Sequence, residues 1–397
     1  MRVTIKILFA FLLFTSFSCN TSAQNRPKES SNTPLLIADT ILYRILDLYN
    51  VPKHGLLSET YPVNPRHRVN YLAEGTTQRQ NQEVSFLWPY SGVFSGVISL
   101  YKQTNDKKYL HLLEETILPG LEKYWDTGRR PAAYQSYPVF AGNSDRFYDD
   151  NVWIALDFCT LYETTDNQAY LDRAIELHEF IYSGWSDNLD GGIYWCEQKQ
   201  MSKNTCSNAP ATVLCARLYE LTQEKSFLDQ AKETYLWTKK NLEDPADHVY
   251  WDNIDLKGKI DKQKYTYNSG QMIEAAVLLY TITKEESYLF DAQKTAEGTY
   301  RHFVNDTPVQ EGILPFYPSS PWFNTILLRG LKALYQIDGN EKYISTMKNN
   351  AFHAWNHTLD NHLLFGNNWA KETNQKYKWL LDNATMIELF SELNDLP

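Results

Sequence analysis

The sequence predicts an all-α fold, a toroid of about six helical hairpins. Two observations carry this expectation. A five-residue phrase returns along the chain, and helices buried on every side alternate with helices that keep one wet face.

In chain order, a degenerate copy of the phrase stands at Leu48-Tyr49, and a weaker one at Leu100-Tyr101-Lys102-Gln103-Thr104. Clear copies follow at Leu161-Tyr162-Glu163-Thr164-Thr165, Leu218-Tyr219-Glu220-Leu221-Thr222 and Leu279-Tyr280-Thr281-Ile282-Thr283, and a last weak one at Leu334-Tyr335-Gln336-Ile337-Asp338. A second phrase trails each clear copy: Ala169-Tyr170-Leu171-Asp172-Arg173-Ala174, Ser226-Phe227-Leu228-Asp229-Gln230-Ala231 and Ser287-Tyr288-Leu289-Phe290-Asp291-Ala292. Successive Leu residues lie 52, 61, 57, 61 and 55 residues apart, room for two helices and their loops. The phrase reads as a helix end, a polar turn and the next helix start.

Apolar residues cover nearly the whole circumference of Val152 to Leu161, whereas Leu171 to Phe180 alternates sides at helical spacing. Six buried helices inside six amphipathic ones close into a ring of twelve. An open superhelical solenoid is the alternative, because repeats of this length also stack without closing.

Counting back 10 to 12 residues from each Leu reaches the start of each buried helix. Those starts read Trp88-Pro89-Tyr90, Asp149-Asp150-Asn151, Cys206-Ser207-Asn208, Tyr267-Asn268-Ser269 and Trp322-Phe323-Asn324. If the inner helices run in one direction, the five groups converge on one mouth, which is the predicted pocket. Capping and a functional role both stand open for Ser207, Asn208 and Asn268. A cap needs only one acid, so Asp149 followed by Asp150, flanked by Phe147-Tyr148 and Trp153, asks for more. Two neighbouring carboxylates share protons unequally, which suits acid/base chemistry, although a solvated double cap is the bland reading. Adjacency favours the ~5–5.5 Å spacing of a retaining glycosidase over the ~6.5–9.5 Å of an inverting one. Asp145, Asp187, Asp190, Asp252 and Asp255 lie in segments that reach the same region and offer an inverting partner instead.

The loop Asp187 to Trp195 reverses at Gly191-Gly192 and carries Tyr194 and Trp195, candidates for stacking on a sugar ring. Lys203-Asn204 adds hydrogen-bonding groups before the next inner helix. The candidate substrate-binding residues are therefore Trp88, Tyr148, Tyr194, Trp195, Asn204, Asn208, Asn268 and Trp322. The Gly pair lacks the spacing of a phosphate loop.

Composition narrows the partners. Among 397 residues, 38 Lys and Arg meet 48 Asp and Glu, a net charge of −10 with no basic stripe for phosphates, so nucleic acid is not expected. An aromatic fraction of 14% suits a neutral, flat-faced ligand. Arg2 and Lys6 precede the apolar run Ile7 to Phe14, too short for a membrane span, and Leu13 to Cys19 resembles a relaxed bacterial lipobox. The expectation is a lipoprotein signal peptide over 1–18, a lipid-modified Cys19, a flexible tether over 19–33 and a single catalytic domain over 34–397. Cleavage after Ala23 is the soluble alternative. Cys196 and Cys206 bracket a segment able to close as a loop disulfide, while Cys159 and Cys215 read as buried thiols. No cofactor or metal is expected, and a monomer is. Sugar epimerases on helical toroids use paired histidines, whereas His67, His178, His248, His302 and His353 occupy no matching pair of inner-helix starts.

Four segments together resemble glycoside hydrolase family 76, the bacterial endo-acting α-1,6-mannanases: Phe147 to Leu156, Asp190 to Trp195, Lys203 to Asn208 and Tyr265 to Gly270. The resemblance spans roughly Leu42 to Asn367. It implies an (α/α)6 toroid, retaining hydrolysis of α-1,6-mannosidic linkages in mannan or mannooligosaccharides, Asp149 as nucleophile and Asp150 as general acid/base. It also implies a Gram-negative scavenger of yeast mannan held at a membrane by its lipid. The stretch Asn20 to Gln24 lacks the acids of surface-exported lipoproteins, which favours a periplasm-facing enzyme. Ala209-Pro210 stands where many members have Gly, a departure expected to alter the backbone at a subsite rim. The non-catalytic alternative is a membrane-anchored glycan-binding protein whose two acids only hydrogen-bond sugar hydroxyls.

Overall fold

The computed structural model describes residues 33–69 and 82–397. The expected export signal, the expected lipidation of Cys19 and the expected tether lie outside the described residues, apart from Thr33, whose hydroxyl caps the first helix by accepting from the Leu36 N–H. Among the described residues, no helix is long and apolar enough to cross a membrane.

Six helices form an inner ring: α2 (Leu87–Thr104), α5 (Tyr148–Thr165), α7 (Thr205–Thr222), α9 (Thr266–Thr283), α11 (Pro321–Asp338) and α13 (Leu380–Glu392). Each packs on the next, and α13 returns to α2, so the ring closes and the solenoid alternative falls away. Outside them lie α1 (Pro34–Leu48), α3 (Lys107–Leu112), α6 (Gln168–Ser183), α8 (Lys225–Leu242), α10 (Glu286–Phe303) and α12 (Lys342–His357). A π turn, Leu113–Ile117, continues α3 into the short α4 (Leu118–Leu121). Burial follows the layering. From Thr205 to Ala216, α7 is buried without a break, whereas α8 buries Phe227, Ala231, Thr234, Tyr235 and Thr238 along one face. The inner ring closes tightly where glycines meet: a Cβ on Gly330 of α11 would come within 2.1 Å of the Gly270 carbonyl oxygen on α9.

The recurring phrase is a helix-ending device. In five hairpins the residue after the inner helix takes the left-handed conformation, at Asn105, Asp166, Gln223, Lys284 and Gly339. Its N–H donates back to the carbonyl of the phrase's Tyr: Tyr101, Tyr162, Tyr219, Tyr280 and Tyr335. The hydroxyls of Thr104, Thr165, Thr222 and Thr283 donate to the carbonyl of the phrase's Leu and accept from the N–H two residues onward. Both bonds satisfy groups that a helix end and a turn otherwise leave open.

The sixth copy behaves differently. Leu48-Tyr49 ends α1, an outer helix, and Tyr49 stays right-handed. The sixth pair is α1 with α13, the two ends of the described chain brought together. The ring therefore has five sequential hairpins and one closing pair.

All inner helices start at the same rim, and that rim carries β structure. A three-stranded antiparallel sheet joins Ser202–Asn204, Trp251–Asp255 and Ile260–Lys264, and a hairpin joins Asn305–Val309 to Gly312–Phe316.

Candidate active site

The starts of three inner helices, α5, α7 and α13, are held by a recurring clamp. Asn151, Asn208 and Asn383, each the fourth residue of its helix, use the side-chain amide as a stand-in for a strand partner. Asn151 accepts from Tyr134 N–H and donates to Tyr134 and Phe147 carbonyls. Asn208 does the same for Ile193 and Asn204, and Asn383 for Phe365 and Trp379. Each clamp fastens a rim segment over the helix start at the net worth of a few buried hydrogen bonds, roughly 1 kcal/mol apiece.

The clamp on Ile193 aims Trp195. Its segment runs along the start of α5, with the Tyr148 N–H donating to the Trp195 carbonyl (3.0 Å) and Phe147 bridged to Cys196. The Trp195 Nε1–H then donates to Asp149 Oδ2 at 2.9 Å. The Cys206 thiol donates to the same oxygen at 3.3 Å, and the Asp150 N–H to Oδ1 at 3.0 Å. Three donors thus surround the Asp149 carboxyl.

Electrostatics separate the pair. Burial raises Asp149 to about 6, against the pull of Cys206, Trp195 and the Asp150 N–H toward the anion. Burial and then the charge on Asp149 push Asp150 well above the ordinary carboxylate range. Near neutrality Asp149 holds the charge and Asp150 the proton. Such an arrangement can combine a nucleophile with a proton donor.

Both acids open into a cleft of about 530 Å³. Its aromatic lining is interlocked: Trp322 meets Trp88 edge-on at 5.0 Å and Trp153 at 5.3 Å, and Tyr267 stacks on Phe323 at 4.2 Å. A second cavity of about 460 Å³ shares Trp88, Trp322 and Phe323 with the cleft and is also bordered by His67, Arg68, Gln375, Tyr377 and Asp382.

Of the expected sugar-binding residues, Trp88, Trp195, Asn204 and Trp322 line the cleft. Four others do not. Tyr148 stacks on Phe180 beneath Gly184, where a Cβ would meet its ring at 2.6 Å. Tyr194 is buried, its hydroxyl accepting from Ser186 and Asn188. Asn208 is the clamp described above, and Asn268 is buried facing Asp252. In each case an adjacent residue, or one on the other side of the chain, takes the place at the surface: Asp149 for Tyr148, Trp195 for Tyr194, Cys206 for Asn208 and Tyr267 for Asn268.

Other expectations also change. Cys196 and Cys206 form no disulfide; both are free thiols, because Cys206 turns into the cleft onto Asp149 while Cys196 faces Gln198. Cys159 and Cys215 are buried thiols as read. Lys203 does not reach the cleft: its ammonium donates to the Ser186, Asn188 and Gly191 carbonyls and so anchors the Gly-Gly loop. Pro210 lies inside α7, buried below the rim, and the helix continues through it. Among the five further acids, Asp252 alone lines the cleft; Asp145 pairs with Lys199, Asp190 with Lys240, Asp187 does not border the cleft, and Asp255 caps its own turn.

The cleft residues Asn253, Asp261 and Gln263 come from the rim sheet. The turn at Lys257-Gly258, with Gly258 at φ +81°, lies between the two strand-forming stretches and marks the hairpin that carries them. Among the described residues, the one cluster able to hold a metal ion, Glu311 with His353 and His357, borders neither cavity.

The family model of Glycosyl hydrolase family 76 matches residues 38–394. A family 76 glycoside hydrolase from a bovine Bacteroides thetaiotaomicron strain is 30% identical, covered over 92% of this chain and 78% of that one, with a TM-score of 0.81. An inactive variant of the α-1,6-mannanase GH76A of Salegentibacter, with two consecutive aspartates changed to Asn and in complex with α-1,6-mannotriose, is 26% identical over 91% of this chain and 99% of that one, TM-score 0.72. The mannan endo-1,6-α-mannosidase DFG5 of Saccharomyces cerevisiae is 23% identical over 80% of this chain and 73% of its own. The chain spans about half the length of two fission-yeast relatives it matches, 46% and 55%.

Proposed function

The chain belongs to glycosyl hydrolase family 76, and from that membership we propose that it is a retaining, endo-acting hydrolase of α-1,6-mannosidic linkages in mannan. The observation that carries the reading is the Asp149–Asp150 pair, one carboxyl held as the anion by three donors and its neighbour holding a proton, at the start of α5 in an aromatic cleft.

Asp149 attacks the anomeric carbon of a mannosyl unit while Asp150 gives its proton to the departing O6. A covalent mannosyl-Asp149 forms. Asp150, now the carboxylate, takes a proton from water as that water attacks the anomeric carbon and frees Asp149. The faces of Trp88, Trp322 and Trp195 offer apolar surface to the C–H faces of the sugar. Two findings support the assignment. Asp149-Asp150 is the single Asp-Asp dipeptide in the sequence, and the Salegentibacter variant described as inactive carries replacements at two consecutive aspartates. Endo action is supported by the second cavity, which shares Trp88, Trp322 and Phe323 with the cleft and offers further room for a chain beside the acids.

The test uses linear α-1,6-mannooligosaccharides and proton NMR. The first product is expected as the α-anomer, with internal bonds cut before terminal ones, and Asp149→Asn or Asp150→Asn should each remove nearly all turnover while leaving the helical spectrum unchanged. A β-anomer released first would refute retention; near-normal turnover by either variant would refute the residue assignment. A protein that binds these oligosaccharides and releases no product would be a glycan-binding module.

A further inference from the structure

We propose that Glu311, His353 and His357 form a site for one divalent transition-metal cation of the zinc class, which fastens the rim hairpin Asn305–Phe316 to α12. His353 and His357 are four residues apart on α12 and so share a face. Glu311 lies in the turn of the hairpin and reaches both: Oε1 is 2.8 Å from His357 Nε2, and Oε2 is 3.5 Å from His353 Nδ1. One ligand atom from each residue can be chosen so that all lie within 4.8 Å of one another. Ligands about 2.0–2.1 Å from a tetrahedral zinc ion stand about 3.4 Å apart, so no pair needs to close by more than about 1.4 Å, and Glu311 and His357, at 2.8 Å, need only part slightly.

The protonation pattern suits a metal. His353 Nε2 lies 3.2 Å from the Ala370 carbonyl, which only accepts, so that nitrogen carries the proton and the Nδ1 lone pair points toward Glu311. A backbone carbonyl behind a ligating histidine is the usual outer support of such a site. Two imidazoles and one carboxylate are a zinc-type donor set, with a fourth position open to water because Glu311 and His357 are partly exposed. None of the three borders the cleft, so the ion is a structural clip. Its hairpin leads into α11, whose first turn supplies Trp322 and Phe323.

Isothermal titration of the untagged, EDTA-treated full chain with zinc chloride tests this, with cobalt(II) absorbance and Tm as further readouts. One saturable equivalent and a higher Tm are expected. Glu311→Gln and His357→Ala, both at partly exposed side chains, should bind at least about tenfold more weakly and lose the Tm gain, while His248→Ala, at a histidine elsewhere, should bind as the parent does. No saturable uptake, or uptake that Glu311→Gln and His357→Ala leave unchanged in folded protein, would overturn the site.

Discussion

Replacing Trp195 with Phe isolates one of the three donors that hold Asp149. The substitution keeps an aromatic ring against Phe147 and removes the N–H 2.9 Å from Asp149 Oδ2. A hydrogen bond to a charged group contributes about 1.5–3 kcal/mol. At 1.36 kcal/mol per pKa unit, its loss raises Asp149 by roughly one to two units. The donor favours the anion, so its removal moves the acidic limb of the kcat/KM profile upward, from about 6 in the parent. At pH 6 the variant should lose roughly five- to fiftyfold in kcat/KM through titration alone, and the loss should shrink as the pH rises past the new limb. The assay is reducing-sugar release from α-1,6-mannan at low substrate across the acid and neutral range. A profile that falls uniformly, with its acidic limb unmoved, would show that Trp195 only contacts sugar and would refute the electrostatic role.

Stability should respond to the same pair with the opposite sign. The folded state binds a proton at Asp149 more tightly than the unfolded chain does, so between the ordinary 3.8 and about 6 stability falls as pH rises. Asp149→Asn should therefore raise Tm at pH 7, by at most about 3 kcal/mol in stability, and scanning calorimetry should find the gain disappearing as the pH falls through that window. Gly192→Ala places a Cβ 2.6 Å from the Trp237 ring at a φ of +88°, so a loss of at least about 2 kcal/mol is expected in urea denaturation. Lys203→Met leaves the Ser186, Asn188 and Gly191 carbonyls without their ammonium donor. At ~1–3 kcal/mol per unsatisfied group, the cost should reach about 3 kcal/mol or more, read as a lowered Tm. An unchanged Tm would mean that water replaces the ammonium.

What the amino-acid order determined by itself was everything carried by local chemistry. The Leu-Tyr phrase ends a helix because its own carbonyls, and in four copies a Thr hydroxyl, satisfy the turn within a few residues, so the five sequential hairpins were legible before any contact was known. From their spacing followed the common rim and the place of Asp149 and Asp150. Tertiary structure decided the rest, because which side of a chain faces a cleft depends on partners far away in sequence. Asn208 looks like a ligand in the sequence, and only its distant partner Ile193 shows it to be a clamp. Cys206 looked available to Cys196, and instead donates to Asp149 from 57 residues away. The closing pair of α1 with α13, and the rim sheet that brings Asp261 and Gln263 to the cleft, are likewise long-range. So is the division of labour between the two aspartates, which arises from burial and from donors on other segments that reach one carboxyl and not its neighbour.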